Sequence, residues 1–292
     1  MLRSRRSDRW GWRALGCVVA LAGLLAQGGC EGVSLEMDTL VNSPPPVRYT
    51  EQDLSAAALE ERMKEVDGFY AGEPRTVKRV ELSYDESAKY VSAVNGYGAL
   101  WRAARACVWL AFAPEEKLSK SERARYAKLG ISWGREAITK ASNRVESFYY
   151  QALSFAALLE ITQKPNEDVM RTMRERMEMA RSLDPKFDHC GPDRFLGVLM
   201  TETDLYPTWR VGDMKQALEH LKSAVDSCPD YVENHLEYAR ALKQAGRIQE
   251  ARDAAGKAMG CPKPADVSRA DHDDFVVEAQ RFLEELGQEP NY

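Results

Sequence analysis

The residues whose side chains are best suited to binding chemistry follow position 190. The candidate ligand- or partner-binding residues are Asp193, Arg194, Tyr206, Trp209 and Arg210. A helix is predicted to begin near the first two, and an aromatic loop with an arginine follows. Because helix N-termini and guanidinium groups both favour negative charge, the segment could receive an anionic ligand. Alternatively, Arg194 pairs with Asp213 or a loop carbonyl and braces the insertion.

The cysteines suggest a second kind of chemistry. Cys190 and Cys228 are predicted at adjacent ends of two antiparallel helices, so a disulfide between them is geometrically reasonable. It would close a loop of about 38 residues and contribute roughly 3–4 kcal/mol at most. Cys107 falls in the middle of a predicted helix and is expected to be a buried thiol. Although His189 and His235 add further metal-ligand types, the spacing is not that of a zinc motif, and no metal site is predicted.

Signatures of catalysis are missing from the sequence. It contains no Gly-x-Ser-x-Gly, no His-Glu-x-x-His and no phosphate-cradling glycine loop. With four histidines, general-base chemistry has few candidates, and His220 is expected to be solvated on a helix face. We therefore predict a protein that is not an enzyme, with no catalytic residue and no cofactor.

The first residues have the layout of an export signal. A stretch with five arginines precedes a short uncharged run, which ends at Gly28-Gly29-Cys30. That ending resembles the lipobox of bacterial lipoproteins, in which the cysteine is acylated and becomes the mature N-terminus, although Gln27 stands where leucine is usual. We expect residues 1–29 to be a lipoprotein signal peptide and Cys30 to be lipidated. A plain secretory signal and a retained anchor helix are the alternatives.

The stretch after Cys30 is predicted to be a flexible tether over residues 30–50. It contains Pro44-Pro45-Pro46, which does not fit a helix. An ordered arm packed on the body is the alternative. Because the arginine-rich signal is removed, the mature chain is more acidic than the net charge of −5 for the whole sequence. Such a balance argues against a nucleic-acid binder, which needs a basic face.

A repeat of small residues defines the predicted fold. Ala217 and Ala224 recur as Ala251 and Ala258, 34 residues later, which is the length of one tetratricopeptide helix–turn–helix unit. We predict an all-α fold, a tetratricopeptide-like right-handed superhelix of antiparallel helical hairpins, as one domain over residues 51–292. A first helix is expected at Asp53–Phe69, and strand-like alternation does not persist beyond Val77–Leu82. The predicted hairpins are 95–142, 145–185, 191–229 and 232–262, with a closing helix at 270–286.

Aromatic residues at helical spacing mark the first two of these hairpins. They are Trp101, Trp109, Trp133, Phe148, Tyr149, Tyr150 and Phe155. Such a stripe fits a packed core, and the alternative is the lining of a channel for a lipid or an organic acid.

Several segments resemble a known family. They are Leu100–Ala106, Leu183-Asp184-Pro185, the Gly-Pro-x-Arg-x-x-Gly run from Gly191 to Gly197, Gly212-Asp213, Ala217–Leu221 and Pro229-Asp230-Tyr231. Together they resemble the TRAP transporter TatT component family of tetratricopeptide-type bacterial lipoproteins. Cys190 and Asp193 depart from that family pattern, where glycine and histidine are common, so the choice of ligand does not carry over.

The resemblance implies a lipoprotein held at a bacterial membrane, inner or outer, and facing the periplasm. It would dock the substrate-binding protein of a tripartite ATP-independent transporter. The alternative function is a tetratricopeptide scaffold for cell-envelope assembly with no small-molecule ligand. The expected partners are therefore a protein and, through the lipid anchor, a membrane; the aromatic content is also compatible with a homo-oligomer.

Overall fold

The computed structural model describes residues 54–204 and 211–288. Within these ranges the chain forms eleven helices and no strand. They are α1 Ala56–Ala71, α2 Val77–Ala88, α3 Tyr97–Ala111, α4 Lys120–Lys140, α5 Val145–Thr162, α6 Glu167–Leu183, α7 Phe187–Thr203, α8 Met214–Ser227, α9 Val232–Gln244, α10 Ile248–Met259 and α11 Arg269–Gln288. The predicted all-α fold of antiparallel hairpins is confirmed, and the four predicted hairpins correspond to α3–α4, α5–α6, α7–α8 and α9–α10.

The described residues divide into two compact units that meet in the sequence at Leu183 and Asp184. In the N-terminal unit, consecutive helices from α1 to α6 pack on one another, and α3 also packs on α1 and α5. In the C-terminal unit, α9 likewise packs on α7 and α11. Each unit therefore places its odd-numbered helices side by side, and we name these sets the N-terminal row and the C-terminal row.

Small residues allow the helices of a hairpin to approach closely, as the repeat predicts. Ala217, Ala224 and Ala251 are fully buried. A Cβ atom at Gly197 in α7 would collide with the side chain of Leu221 in α8, so this contact requires glycine. The turn between α9 and α10 uses Gly246 at φ 75°, a left-handed conformation that glycine adopts without strain.

The start of the fold differs from the prediction in its details. The first helix spans Ala56–Ala71 rather than Asp53–Phe69, because Ser55 caps it by accepting a hydrogen bond from the Ala58 amide. The Val77–Leu82 stretch is helical, since Val80, Ser83 and Ser87 recur at helical spacing and are all buried. The chain thus has an additional hairpin, α1–α2, before those that the repeat indicated.

The last helix closes the core of the C-terminal unit. Phe275, Ala279, Phe282 and Leu286 are buried on one face of α11 and join the apolar cluster of α9 and α10. Their spacing of three to four residues keeps them on one side of the helix. Helix α11 therefore covers apolar surface that the fourth hairpin would otherwise expose.

Candidate functional site

The structure places the predicted anion-binding residues of α7 inside the fold. Asp193 and Arg194 are each only 2% exposed. The other three candidates, Tyr206, Trp209 and Arg210, lie outside the described residues. Neither of the two placed side chains is presented to solvent, and their polar atoms contact other parts of the C-terminal unit.

Arg194 organises the beginning of α7. Its Nη1 donates to the carbonyl of His189 at 3.1 Å and to Oδ1 of Asn234 at 2.9 Å. Its Nε lies 3.2 Å from Oε2 of Glu233, and its guanidinium stacks on Tyr231, 4.9 Å from the ring centre. The hydrogen bond to the carbonyl of His189 agrees with the alternative in which Arg194 pairs with a loop carbonyl. The braced segment, however, is the entry to α7 and not the insertion before Asp213.

That entry has an unusual backbone. Asp188, His189 and Cys190 are consecutive left-handed residues, with φ of 49°, 53° and 63°. Side chains other than glycine make this conformation costly, by roughly 1–2 kcal/mol per residue. The Arg194 contacts and the disulfide between Cys190 and Cys228, with Cα atoms 6.0 Å apart, hold the turn in place. Right-handed helix then begins at Gly191, where the hairpin was predicted to start.

Asp193 makes a second contact inside the fold, with His220 of α8. Oδ1 of Asp193 lies 2.7 Å from Nδ1 of His220, and Oδ2 accepts from the Ser223 hydroxyl at 2.8 Å. The His220 side chain is 18% exposed, so the expectation of a solvated histidine is wrong. The buried carboxylate lies across the hairpin from α8 and orients the imidazole. Nothing in the spacing of these residues indicated the pair.

The C-terminal row carries a surplus of carboxylates that sequence reasoning missed. We name Glu202 of α7, Glu237 and Arg240 of α9, and Glu278 of α11 the Glu202 cluster. Arg240 donates to Glu237 on its own helix and, at 3.1 Å, to Oε2 of Glu278. No hydrogen bond or ion pair to Glu202 is found within residues 54–204 and 211–288. Burial and the charge of Glu237 raise the pKa of Glu202 to about 7, against the opposing effect of Arg240.

The same burial acts on the neighbouring acids of α9. Glu233 is 3% exposed, and burial raises its pKa to about 7 although Arg194 lies beside it. The pKa of Glu237 is also raised, again mainly by burial. Because Glu233 and Glu237 are one turn apart, they face the same side of α9 and repel each other when both are ionised.

One cluster in the N-terminal row has the opposite charge balance. Two guanidinium groups share one carboxylate: Arg102 donates to both oxygens of Asp67 at 2.9 and 2.7 Å, and Arg105 donates to Oδ1 at 2.7 Å. Arg105 also lies over the rings of Tyr70, at 3.9 Å, and Trp101, at 5.0 Å. We name these five residues the Arg105 cluster. Burial alone would raise the pKa of Asp67, but the two arginines outweigh it and hold that pKa below its usual value.

The aromatic stripe is mostly core. Trp109, Trp133, Phe148, Tyr149 and Phe155 are buried, with exposed fractions of 5% or less. Trp101 and Tyr150 are half-buried and stack with parallel rings, 6.1 Å between centres. The stripe therefore fills the N-terminal unit, as the first of the two interpretations expected, and only its edge reaches the surface.

The described residues test only some of the remaining predictions. Cys107 is buried, as expected, and burial raises its thiol pKa. The proposed lipidation site Cys30, the signal peptide and the tether lie outside the described residues. Across 54–204 and 211–288, no cluster of three or more candidate ligand residues is arranged to hold a metal ion. None of the helices in these ranges combines the length and apolar character needed to cross a membrane.

Comparison with known proteins agrees with this architecture. Residues 209–258 match the sequence model of a tetratricopeptide repeat family. The crystal structure of a thermophilic TPR protein in Thermus thermophilus is similar with a TM-score of 0.54, over 77% of this chain and 98% of that chain, at 14% identity. At that identity the likeness shows the fold alone. No protein with a curated function matches the sequence. The chain thus has the fold of a tetratricopeptide-type scaffold, a class that binds proteins on extended surfaces.

Proposed function

We propose that this chain is a membrane-tethered adaptor of the bacterial cell envelope, whose helical rows bind a partner protein. The observation that carries the proposal is the partly exposed charge along each row: the Arg105 cluster on one and the Glu202 cluster on the other. Charged side chains that are partly exposed along a helical row can pair with a complementary partner surface.

Features of the sequence support the proposed membrane-tethered location of this adaptor. The basic stretch, the short apolar run and Cys30 fit a lipoprotein signal, and the proline-containing segment fits a tether. A flexible chain of that length spans roughly 25 Å on average, which lets the folded body stand off the bilayer. Following the resemblance to the TatT component family, the leading partner is the substrate-binding protein of a tripartite ATP-independent transporter, met in the periplasm.

One observation favours the second candidate, a scaffold for envelope assembly with no small-molecule ligand. The aromatic residues that could have lined a channel pack as the core of the N-terminal unit. A protein-binding role needs no channel, whereas passage of a lipid or organic acid does. The two candidates share the tether and the helical rows, and they differ in the partner.

The partner can be identified by crosslinking in the native host, followed by affinity purification of the full-length protein and mass spectrometry. Enrichment of an extracytoplasmic solute-binding protein supports the transport adaptor. Enrichment of envelope-assembly or surface proteins alone supports the scaffold. A Cys30→Ser variant is the matched control: we expect it to lose the lipid and its membrane association. If neither variant enriches any envelope protein, the adaptor proposal fails.

A further inference from the structure

We propose that the Arg105 cluster binds an acidic side chain of a partner protein, together with an aromatic side chain two residues away on the same extended segment. Arg102 and Arg105 receive the carboxylate, and the rings of Trp101 and Tyr150 receive the aromatic side chain. This inference rests on the proposed function, since it names the chemistry of the partner that the N-terminal row receives.

Helix α3 is buried except along one stripe, and that stripe carries most of the cluster. Its partly exposed residues are Tyr97, Gly98, Trp101, Arg102 and Arg105, and every other residue of the helix is buried. Contact with water alone requires only short polar side chains. The surface that α3 leaves open is instead rich in guanidinium groups and aromatic rings, which are the side chains enriched in protein-binding surfaces.

The two arginines have one carboxylate between them, that of Asp67. Arg102 uses all three of its nitrogens, two on Asp67 and Nη1 on the carbonyl of Gly98. Arg105 donates to Asp67 through Nη2 alone, and its side chain keeps 13% of its surface exposed. Among residues 54–204 and 211–288, no acceptor is found for Nη1 of Arg105. The cluster therefore has a donor available for a second carboxylate.

Contacts inside the row fix these arginines in position before any partner arrives. Both guanidinium groups lie over Trp101, that of Arg102 at 4.2 Å and that of Arg105 at 5.0 Å, and Arg105 also covers Tyr70. Arg171 of α6 differs, since it is 52% exposed and pairs only with acids of its own helix. Ordering a long side chain has an entropy cost, and at Arg105 that cost falls on folding and not on binding.

The charges of the cluster favour a carboxylate over a phosphate. The pKa of Asp67 lies below its usual value because of Arg102 and Arg105, so Asp67 is ionised at neutral pH. Together the three groups carry a single positive charge, which one carboxylate balances. Glu146, one turn before Tyr150 on α5, is already paired with Arg144. A phosphate with two negative charges would meet repulsion from Asp67 that its second charge does not overcome.

An extended segment fits the aromatic part of the site. The rings of Trp101 and Tyr150 are half-buried, nearly parallel and 6.1 Å apart between centres, and they join the cluster to α5. In an extended chain, residues two apart face the same side and lie about 6.6 Å from each other. A segment with an acid at one position and an aromatic residue two further on can contact the arginines and the ring pair together. A small anion contacts the arginines alone.

The test uses fluorescence anisotropy of a labelled peptide with three Glu-Ser-Phe-Ser repeats, titrated with the full mature chain at constant ionic strength. Matched peptides replace every glutamate with glutamine, every phenylalanine with alanine, or every glutamate with phosphoserine. We expect binding to weaken by about tenfold for the glutamine peptide and about fivefold for the alanine peptide, because each loses one of the two contacts. The phosphoserine peptide should bind no more tightly than the glutamate peptide.

Two variants of the cluster should change binding in opposite directions. Arg105→Gln removes the available donor and should weaken binding of the glutamate peptide by about tenfold. Asp67→Asn removes the competing carboxylate and should strengthen binding by about threefold, although it destabilises the fold. Arg171→Gln makes the same charge change as Arg105→Gln at an exposed position, and should alter binding by less than about twofold. Melting curves verify that each variant is folded at the temperature of the titration.

Any of five results would overturn the proposal. The glutamate peptide does not bind, or the alanine peptide binds as tightly as it does. Arg105→Gln and Arg171→Gln weaken binding equally, which would indicate non-specific attraction. Asp67→Asn weakens binding, which would mean that the cluster acts only through the fold; this sign decides the matter if Arg105→Gln does not fold. The phosphoserine peptide binds more tightly and depends on Arg105, which would assign the cluster to phosphate.

Crosslinking in the host separates this inference from the proposed function. If wild type and Arg105→Gln recover the same partner, the adaptor proposal stands and the role of Arg105 is refuted. If wild type recovers a partner that Arg105→Gln loses and Arg171→Gln retains, both are supported. If wild type recovers no envelope protein, the adaptor proposal fails, whereas the peptide titrations still decide what the cluster binds.

Discussion

In the N-terminal row two guanidinium groups share one carboxylate, whereas in the C-terminal row the guanidinium of Arg240 bridges two carboxylates, those of Glu237 and Glu278. The arginines of the first row are also stacked on aromatic rings, which accept positive charge on their faces. In the second row, burial and the charge of Glu237 raise the pKa of Glu202 to about 7. The first row therefore favours the ionised form of its carboxylate, whereas the second disfavours the ionised form of Glu202.

The largest expected effect comes from shortening the C-terminal row. Deletion of residues 270–292 removes Glu278 and exposes the apolar face that Phe275, Phe282 and Leu286 cover. Because terminal helices cap such arrays, we expect aggregation or loss of the cooperative unfolding of this unit. Size-exclusion chromatography and calorimetry would show it. A monodisperse protein with an unchanged melting curve would contradict the assignment of α11 as a cap.

The next largest effect is expected from removing the disulfide between Cys190 and Cys228, which closes the α7–α8 hairpin. The double change of Cys190 and Cys228 to serine removes a crosslink with a sequence separation of 38. Loop entropy predicts a loss of about 4 kcal/mol, reduced where the left-handed turn at His189 relaxes. Denaturant unfolding measures the loss, with Cys261→Ser, which removes a free thiol, as the control. Non-reducing mass spectrometry that finds free thiols at both positions would rule out the bond.

A smaller loss should follow when the N-terminal row loses its acid. Asp67→Asn leaves Arg102 and Arg105 without their shared carboxylate, and we expect about 1–2 kcal/mol of destabilisation at pH 7, since Asp67 is partly exposed. The folded pKa of Asp67 is depressed, so its contribution is present at neutral pH and is lost as the pH falls through that folded value. The cost of the variant should therefore shrink in acid.

Urea unfolding at pH 7 and pH 3 measures the loss from Asp67→Asn. Glu65→Gln, which breaks an exposed pair with Arg62, serves as the control and should change little. An equal cost for Asp67→Asn at both pH values would mean that the ionised form is not what stabilises the row.

The sequence predicts the fold far better than these charged rows, for a physical reason. Close helix packing requires small residues at fixed spacing, so Ala217, Ala224 and Ala251 signal it locally. The Glu202 cluster combines side chains from three helices, and each of its acids alone resembles a solvated surface residue. Its depth depends on packing that no local pattern encodes.

The beginning of α7 is a second feature that local sequence patterns do not predict. Left-handed residues at Asp188 and His189 run against local preference and depend on contacts with Arg194 and Asn234. Such an arrangement is determined by tertiary packing, which overrides propensity. Sequence reasoning placed the helix start and the neighbouring cysteines correctly in the fold. It left two interpretations of Arg194 open, a ligand contact and an internal brace, and the contacts of Arg194 with His189 and Asn234 are internal.

The smallest effect has the opposite sign and distinguishes the rows most directly. Glu202 has a folded pKa raised from 4.5 to about 7, so the folded state binds more protons than the unfolded chain between these values. Stability due to the protonated form is therefore present below the unfolded pKa and is lost as the pH rises through 7. Glu202→Gln removes this penalty. The pKa difference sets an upper limit of about 3 kcal/mol at pH 8, which solvent screening of this partly exposed group reduces to about 1 kcal/mol, and we expect little effect at pH 5.

Unfolding of Glu202→Gln and of Glu219→Gln in urea at both pH values isolates this effect. Glu219 is exposed, so the same charge change there should show no comparable gain. If Glu202→Gln destabilises at pH 8, the carboxylate already has a favourable partner in the free protein. The C-terminal row would then resemble the N-terminal row, in which the surrounding charges stabilise the ionised carboxylate.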